Sequence, residues 1–185
     1  MTTMTQEQTT ESATSPEVKP MTVTEDVSSV RTMDQLNQTL ALIEKQAGDL
    51  VASQVVREGY MAHGHPADLG FIHLNSMTNS RIKKAFPLAD KSEPLFRILY
   101  AKGKHIVGEG LVKKYEARRD GKKFDHCKWI DGQFKKLFEQ LSDFKEVLAN
   151  LHSDQLRSHL VFRLAPCSFS VASFRLWFFL FLCHF

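Results

Sequence analysis

Three basic doublets, Lys113-Lys114, Arg118-Arg119 and Lys122-Lys123, fall within eleven residues and are followed by Lys128. Phosphate backbones reward such clustered positive charge, because binding releases the counterions condensed on them. Tyr115, Phe124 and Trp129 interleave with the cations and add aromatic faces on which bases can stack. On a helix, Lys114 and Arg118 are four residues apart and share a face, whereas Lys113 and Lys123 lie at other angles. Glu116, Asp120 and Asp125 weaken the field and supply local ion-pair partners. Two readings follow. One is a surface for nucleic acid or another polyanion, using Lys113, Lys114, Arg118, Arg119, Lys122, Lys123, Lys128 and Trp129. The other is a solvated, lysine-rich helix and loop. The doublets also have the composition of a nuclear-import signal.

His63-Gly64-His65 is the second constellation. In an extended segment both imidazoles would face one side, which is metal-ligand geometry, with Asp68 or His73 as a third ligand. The spacing matches no established zinc motif such as HExxH, and a polar loop around a flexible glycine is the plainer expectation. A metal-dependent enzyme at His63 and His65 is therefore a distant alternative, and no cofactor is expected. His126 and Cys127 are adjacent, and neighbours on a helix do not face each other. The chain contains no G-x-x-x-x-G-K-[ST] phosphate loop, no GxGxxG and no GxSxG elbow, so no catalytic residue can be assigned.

The charge is unevenly placed. The net charge of the 185 residues is only +3, yet residues 81–128 carry fourteen basic residues and six acids. Residues 1–30 carry one Lys and five acids, are rich in Thr, Ser and Glu, and hold no aromatic. They read as a disordered leader, too poor in apolar surface to offset its ordering entropy. No apolar stretch near the N-terminus suggests a cleaved secretory signal. Three cysteines, Cys127, Cys167 and Cys183, make a poor disulfide framework and fit a reducing, intracellular setting, cytoplasmic or nuclear.

Between the ends, apolar spacing points to an all-α domain over residues 31–164, an irregular bundle of four to six helices. Thr32 and Gln35 form a capping-box pattern. After it, Met33, Leu36, Leu40, Ile43, Ala47 and Leu50 recur at steps of three and four, and the helix is expected to run to Gly59. Leu36, Leu40, Ile43 and Leu50 are either a self-association or partner-binding stripe or one side of the domain's own core. Pro66 suits the first turn of a second helix, and a short helix is expected around residues 80–86, stopping at Pro87. Ser92-Glu93-Pro94 starts another. Gly103, Gly108 and Gly110 leave that segment open among one helix to about Arg119, a break at Gly103, and a hairpin. A connection is placed at Gly121. The strongest periodicity, Phe134 to Leu151, predicts one long helix, the most buried of the set, with Phe138, Leu141, Phe144 and Leu148 in the core.

Residues 165–185 form an apolar tail with six Phe between Phe169 and Phe185 and a single charge there, Arg175. It barely reaches the length of a membrane span, about 17–20 residues. A tail anchor contacting the membrane, a partner-docking segment and a non-native C-terminus all fit. Taken together, the sequence favours a protein-interaction or oligomerisation module, with a nucleic-acid-binding domain as the alternative.

Overall fold

The computed structural model describes residues 27–164, where the chain forms six helices and no strand. Residues 1–26 of the acidic leader and the whole apolar tail, with its anchor, docking and non-native readings, lie outside the described residues. The domain starts earlier than residue 31, because Val27 and Val30 are buried in the core.

The first helix, α1, spans Met33–Ala52 and opens with the expected capping box. Gln35 N–H donates to Thr32 Oγ1 and Thr32 N–H to Gln35 Oε1, both at 3.2 Å. Its stripe of Leu36, Leu40, Ile43 and Ala47 is buried. The helix does not continue to Gly59. Ser53 takes an extended conformation, and its hydroxyl donates to the Leu50 carbonyl at 2.5 Å. A serine hydroxyl competing for a helix carbonyl in this way gives the backbone an alternative to continuing. The chain restarts as α2, Gln54–Met61, which turns Val56 and Tyr60 into the core.

Residues 69–85 form one helix, α3 (Leu69–Ala85), where two were expected, and Pro66 lies in the turn before it. The buried Thr78 hydroxyl donates to the Leu74 carbonyl at 2.7 Å, so no polar atom is stranded there. The 26-residue α4 (Pro94–Arg119), with proline in its first turn, realises the uninterrupted alternative for this segment. It packs against every other helix and is the most buried element, a place expected for residues 134–151. Its glycines are close-packing sites. A Cβ on Gly103 would stand 3.0 Å from Phe134 Cζ, one on Gly108 3.2 Å from Leu50 Cβ, and one on Gly110 2.6 Å from Ile130 Cγ1.

The long helix expected from Phe134 to Leu151 is divided at Gln140 into α5 (His126–Glu139) and α6 (Leu141–Leu164). Backbone bonds bracket the break, Gln140 N–H to Lys136 O and Phe144 N–H to Gln140 O, so it is a bend with no loop. The bend lets both pieces follow the core. Phe144 and Leu148 are buried as expected, while Phe138 and Leu141 are half-buried against its edge. Lys102 on α4 is buried with its ammonium 5.5 Å from the Phe144 ring centre, tying α4 to α6. No helix among the described residues is long and apolar enough to cross a membrane.

Candidate polyanion-binding face

Two helix ends of the same design meet at one side of the molecule. After α2, His65 N–H bonds to Tyr60 O and Gly64 N–H to Met61 O, with Gly64 at φ +71°. After α4, Lys122 N–H bonds to Ala117 O and Gly121 N–H to Arg118 O, with Gly121 at φ +69°. Both are Schellman caps, which place a left-handed residue, usually glycine, just past the helix. The first cap fixes His63 and His65. The second ends the basic run of α4.

The caps bring Arg118 against His63, where the guanidinium bonds the imidazole. A guanidinium only donates, so the facing ring nitrogen must be an unprotonated acceptor. The His63 imidazole is accordingly lowered in pKa, by desolvation and then by Arg118, Lys114 and His65. His73 of α3 is lowered by burial and then by Lys114 and His65. His126, the first residue of α5, is lowered by burial and by Lys114, with Asp125 opposing. Lys114 thus acts on imidazoles from three separate elements. Its own ammonium stands 5.0 Å from the Tyr115 ring centre.

Tyr60 and Tyr115 form the floor. Their rings are 5.4 Å apart, and the Tyr60 hydroxyl lies 2.7 Å from His73 Nδ1. Burial pushes the Tyr60 phenol far above its ordinary value, so it stays protonated and serves as the donor to a neutral His73. Gly59 makes this floor possible, since a Cβ there would overlap the Tyr115 ring.

The basic doublets do not form one surface. Lys113 points to the other side of α4, pairing with Glu109 at 3.2 Å and lying 5.5 Å over the Trp129 ring. Arg119 and Lys122 share Asp120, at 3.8 and 3.4 Å. Lys123 and Lys128 are exposed. Trp129 is half-buried and packed against the core, with Phe124 beside it at 6.4 Å, so its ring is a weak platform for a base. Leu36, Leu40 and Ile43 are core residues and Leu50 is half-buried against Gly108, which removes the stripe as a free interaction face.

Comparison of the chain with protein-family models, with curated proteins and with solved structures finds no match.

The extended geometry expected for His63 and His65 is replaced by the helix cap. Their ring centres are 6.3 Å apart, and no group of three metal-ligating side chains occurs among the described residues. A guanidinium against His63 and an ammonium nearby favour an anion over a cation. His126 and Cys127, expected to face apart, come within 3.6 Å through Nε2 and Sγ. Sequence reasoning missed Tyr60 and His126 as members of this face. Only Gly64 and Gly121, as helix-ending glycines, hinted at how its parts meet.

Proposed function

We propose that this domain is a binding module for a phosphate-bearing polyanion, nucleic acid foremost, and that it binds through Lys114, Arg118, His63 and His65. The observation that carries this reading is the contact of the Arg118 guanidinium with His63 where the two helix caps meet, with Lys114 acting on His63 and also on His73 of α3 and His126 of α5. The surplus of fourteen basic residues over six acids in 81–128 supplies a wider attractive field. Phosphate would stabilise the imidazolium form of His63, so binding takes up protons and tightens as pH falls.

The test is titration of a fluorescent oligonucleotide, single-stranded and duplex, with the full chain across a salt series. Log affinity should fall linearly with log salt, and Lys114→Gln/Arg118→Gln should reduce the slope by about 2. Lys113→Gln/Arg119→Gln, on other faces, should change it less. Affinity should also rise as pH falls below about 6.5, since the His63 imidazole is lowered from its ordinary 6.5 and protonates only there. Equal binding by wild type and Lys114→Gln/Arg118→Gln would refute the assignment.

A second reading, docking of a protein partner, is favoured by one observation. Phe71 and Ile72 are adjacent on α3, 42% and 60% exposed, and Met61 at the end of α2 is 66% exposed. Several large apolar side chains left open on one pair of helices favour an interaction surface. Self-association through them would appear as a concentration-dependent mass that Phe71→Ser/Ile72→Ser abolishes.

A further inference from the structure

A polar cleft of about 660 Å³ opens between α1, α3 and the start of α4. It stands apart from the basic face, since its lining residue Lys104 lies ten residues before Lys114, about 15 Å along α4. Its volume is within the usual range for small-molecule sites, about 300–1,000 Å³.

Its lining is chemically divided. Lys91, Arg97 and Lys104 supply three cations against one carboxylate, Glu44, which Lys104 engages at 3.2 Å. Asn37 of α1 and Asn75 and Asn79 of α3 face the same space. These three carboxamides and the Arg97 guanidinium make no side-chain hydrogen bond to any described residue. Asp90 accepts from the Ser92 N–H at 2.9 Å and fixes the turn that sets Lys91 and Ser92 at the rim. Tyr100 lies in the wall, only 7% exposed, and the Lys91 ammonium stands 5.1 Å from its ring centre.

The geometry points to this cleft as a binding site for a small sugar phosphate, with Arg97 and Lys91 on the phosphate and Asn37, Asn75 and Asn79 on the hydroxyls. A guanidinium and an ammonium free to donate match phosphate oxygens. Each carboxamide offers two donors and an acceptor, which suits hydroxyls that both give and take a hydrogen bond. A nucleotide fits less well, because the cleft's aromatic ring is buried and covered by Lys91, leaving no open face for a base to stack on.

The experiment uses the full chain and follows the side-chain amide resonances of Asn37, Asn75 and Asn79 by NMR. The probes are ribose 5-phosphate, inorganic phosphate and ribose, each titrated to about 10 mM. Ribose 5-phosphate should shift these resonances and bind at least about tenfold more tightly than either fragment. Arg97→Gln should weaken the ester and phosphate alike by about tenfold or more, through loss of a charge-assisted contact. Asn75→Ala/Asn79→Ala should bring the ester down to the affinity of phosphate. Lys114→Gln/Arg118→Gln should leave ester binding unchanged, which separates this site from the polyanion face. Arg97 and Asn75 are exposed, so an unchanged unfolding midpoint serves as the folding control. Equal affinity for ester and phosphate, no shift of the Asn resonances, undiminished binding by Arg97→Gln, or loss with Lys114→Gln/Arg118→Gln would each overturn the proposal.

Discussion

At the scale of single residues, glycine has opposite meanings at different positions. Gly59 is where the Tyr115 ring lies against the backbone of α2, and any side chain there must displace the ring or the helix. Gly59→Ala is expected to cost about 3 kcal/mol or more, the range of a forced overpacking at a buried contact. Gly132, inside α5, has nothing within 4 Å of where a Cβ would be. Gly132→Ala should stabilise by about 0.5–1 kcal/mol, because glycine loses more backbone freedom than alanine on entering a helix. Urea unfolding of the two variants should move the midpoint in opposite directions. The histidines make a pH prediction. His73 and His126 have folded pKa values below their ordinary 6.5. Above about pH 7 both folded and unfolded chains hold them neutral, so they add no pH dependence. As pH falls through about 6.5 the unfolded chain takes up protons first, and stability declines until the lower folded values are passed. His73→Gln keeps an acceptor for Tyr60 but cannot titrate, so its stability should fall less steeply than wild type between about pH 6.5 and about pH 5.

Among the elements, α4 and α5 are joined by a fit of small to large. Gly110 lets Ile130 approach so closely that an added Cβ would stand 2.6 Å from Ile130 Cγ1. About two turns away, Gly103 admits the Phe134 ring in the same manner. Gly110→Ala should therefore destabilise by about 1–3 kcal/mol, despite alanine's better helix propensity. If the cause is this contact, adding Ile130→Ala should cost less in the Gly110→Ala background than in wild type. A double-mutant cycle in urea should read that coupling as non-additivity of at least about 0.5 kcal/mol. Additive losses would place the cost elsewhere.

For the whole molecule, α4 is an axle on which α1, α2, α3, α5 and α6 each lay one face. The stripe of α1 is spent on that packing, with Leu36 and Ile43 at 0% exposure. Ile43→Ala should cost about 2–5 kcal/mol by leaving a cavity, while the mass of the folded protein in solution stays the same. Sedimentation with matched thermal melts separates this from a dimer seam, whose loss would lower the mass before the fold.

What the sequence determined by itself were the local choices. The capping box at Thr32 and Gln35, the proline start at Pro94, the stop before Pro87 and the turn at Gly121 were all legible, because each is settled by residues three or four positions apart. The all-α class was legible for the same reason, through apolar spacing. The break at Ser53, the bend at Gln140 and the use of α4 as the central helix were not. Periodicity records that a face is apolar and is silent on which partner buries it, and a helix that must curve round a core gives up its register where neither face can reach. The basic face was only half readable. Lys114 and Arg118 share a helix side by spacing, but the meeting of Arg118 with His63, and of Lys114 with His63, His73 and His126, joins residues as far as 55 positions apart, as in the Arg118–His63 contact. The cleft of Asn37, Asn75, Asn79 and Arg97 left no mark in the sequence, since these polar groups come from three separate helices and only the packing of α1 and α3 against α4 gathers them.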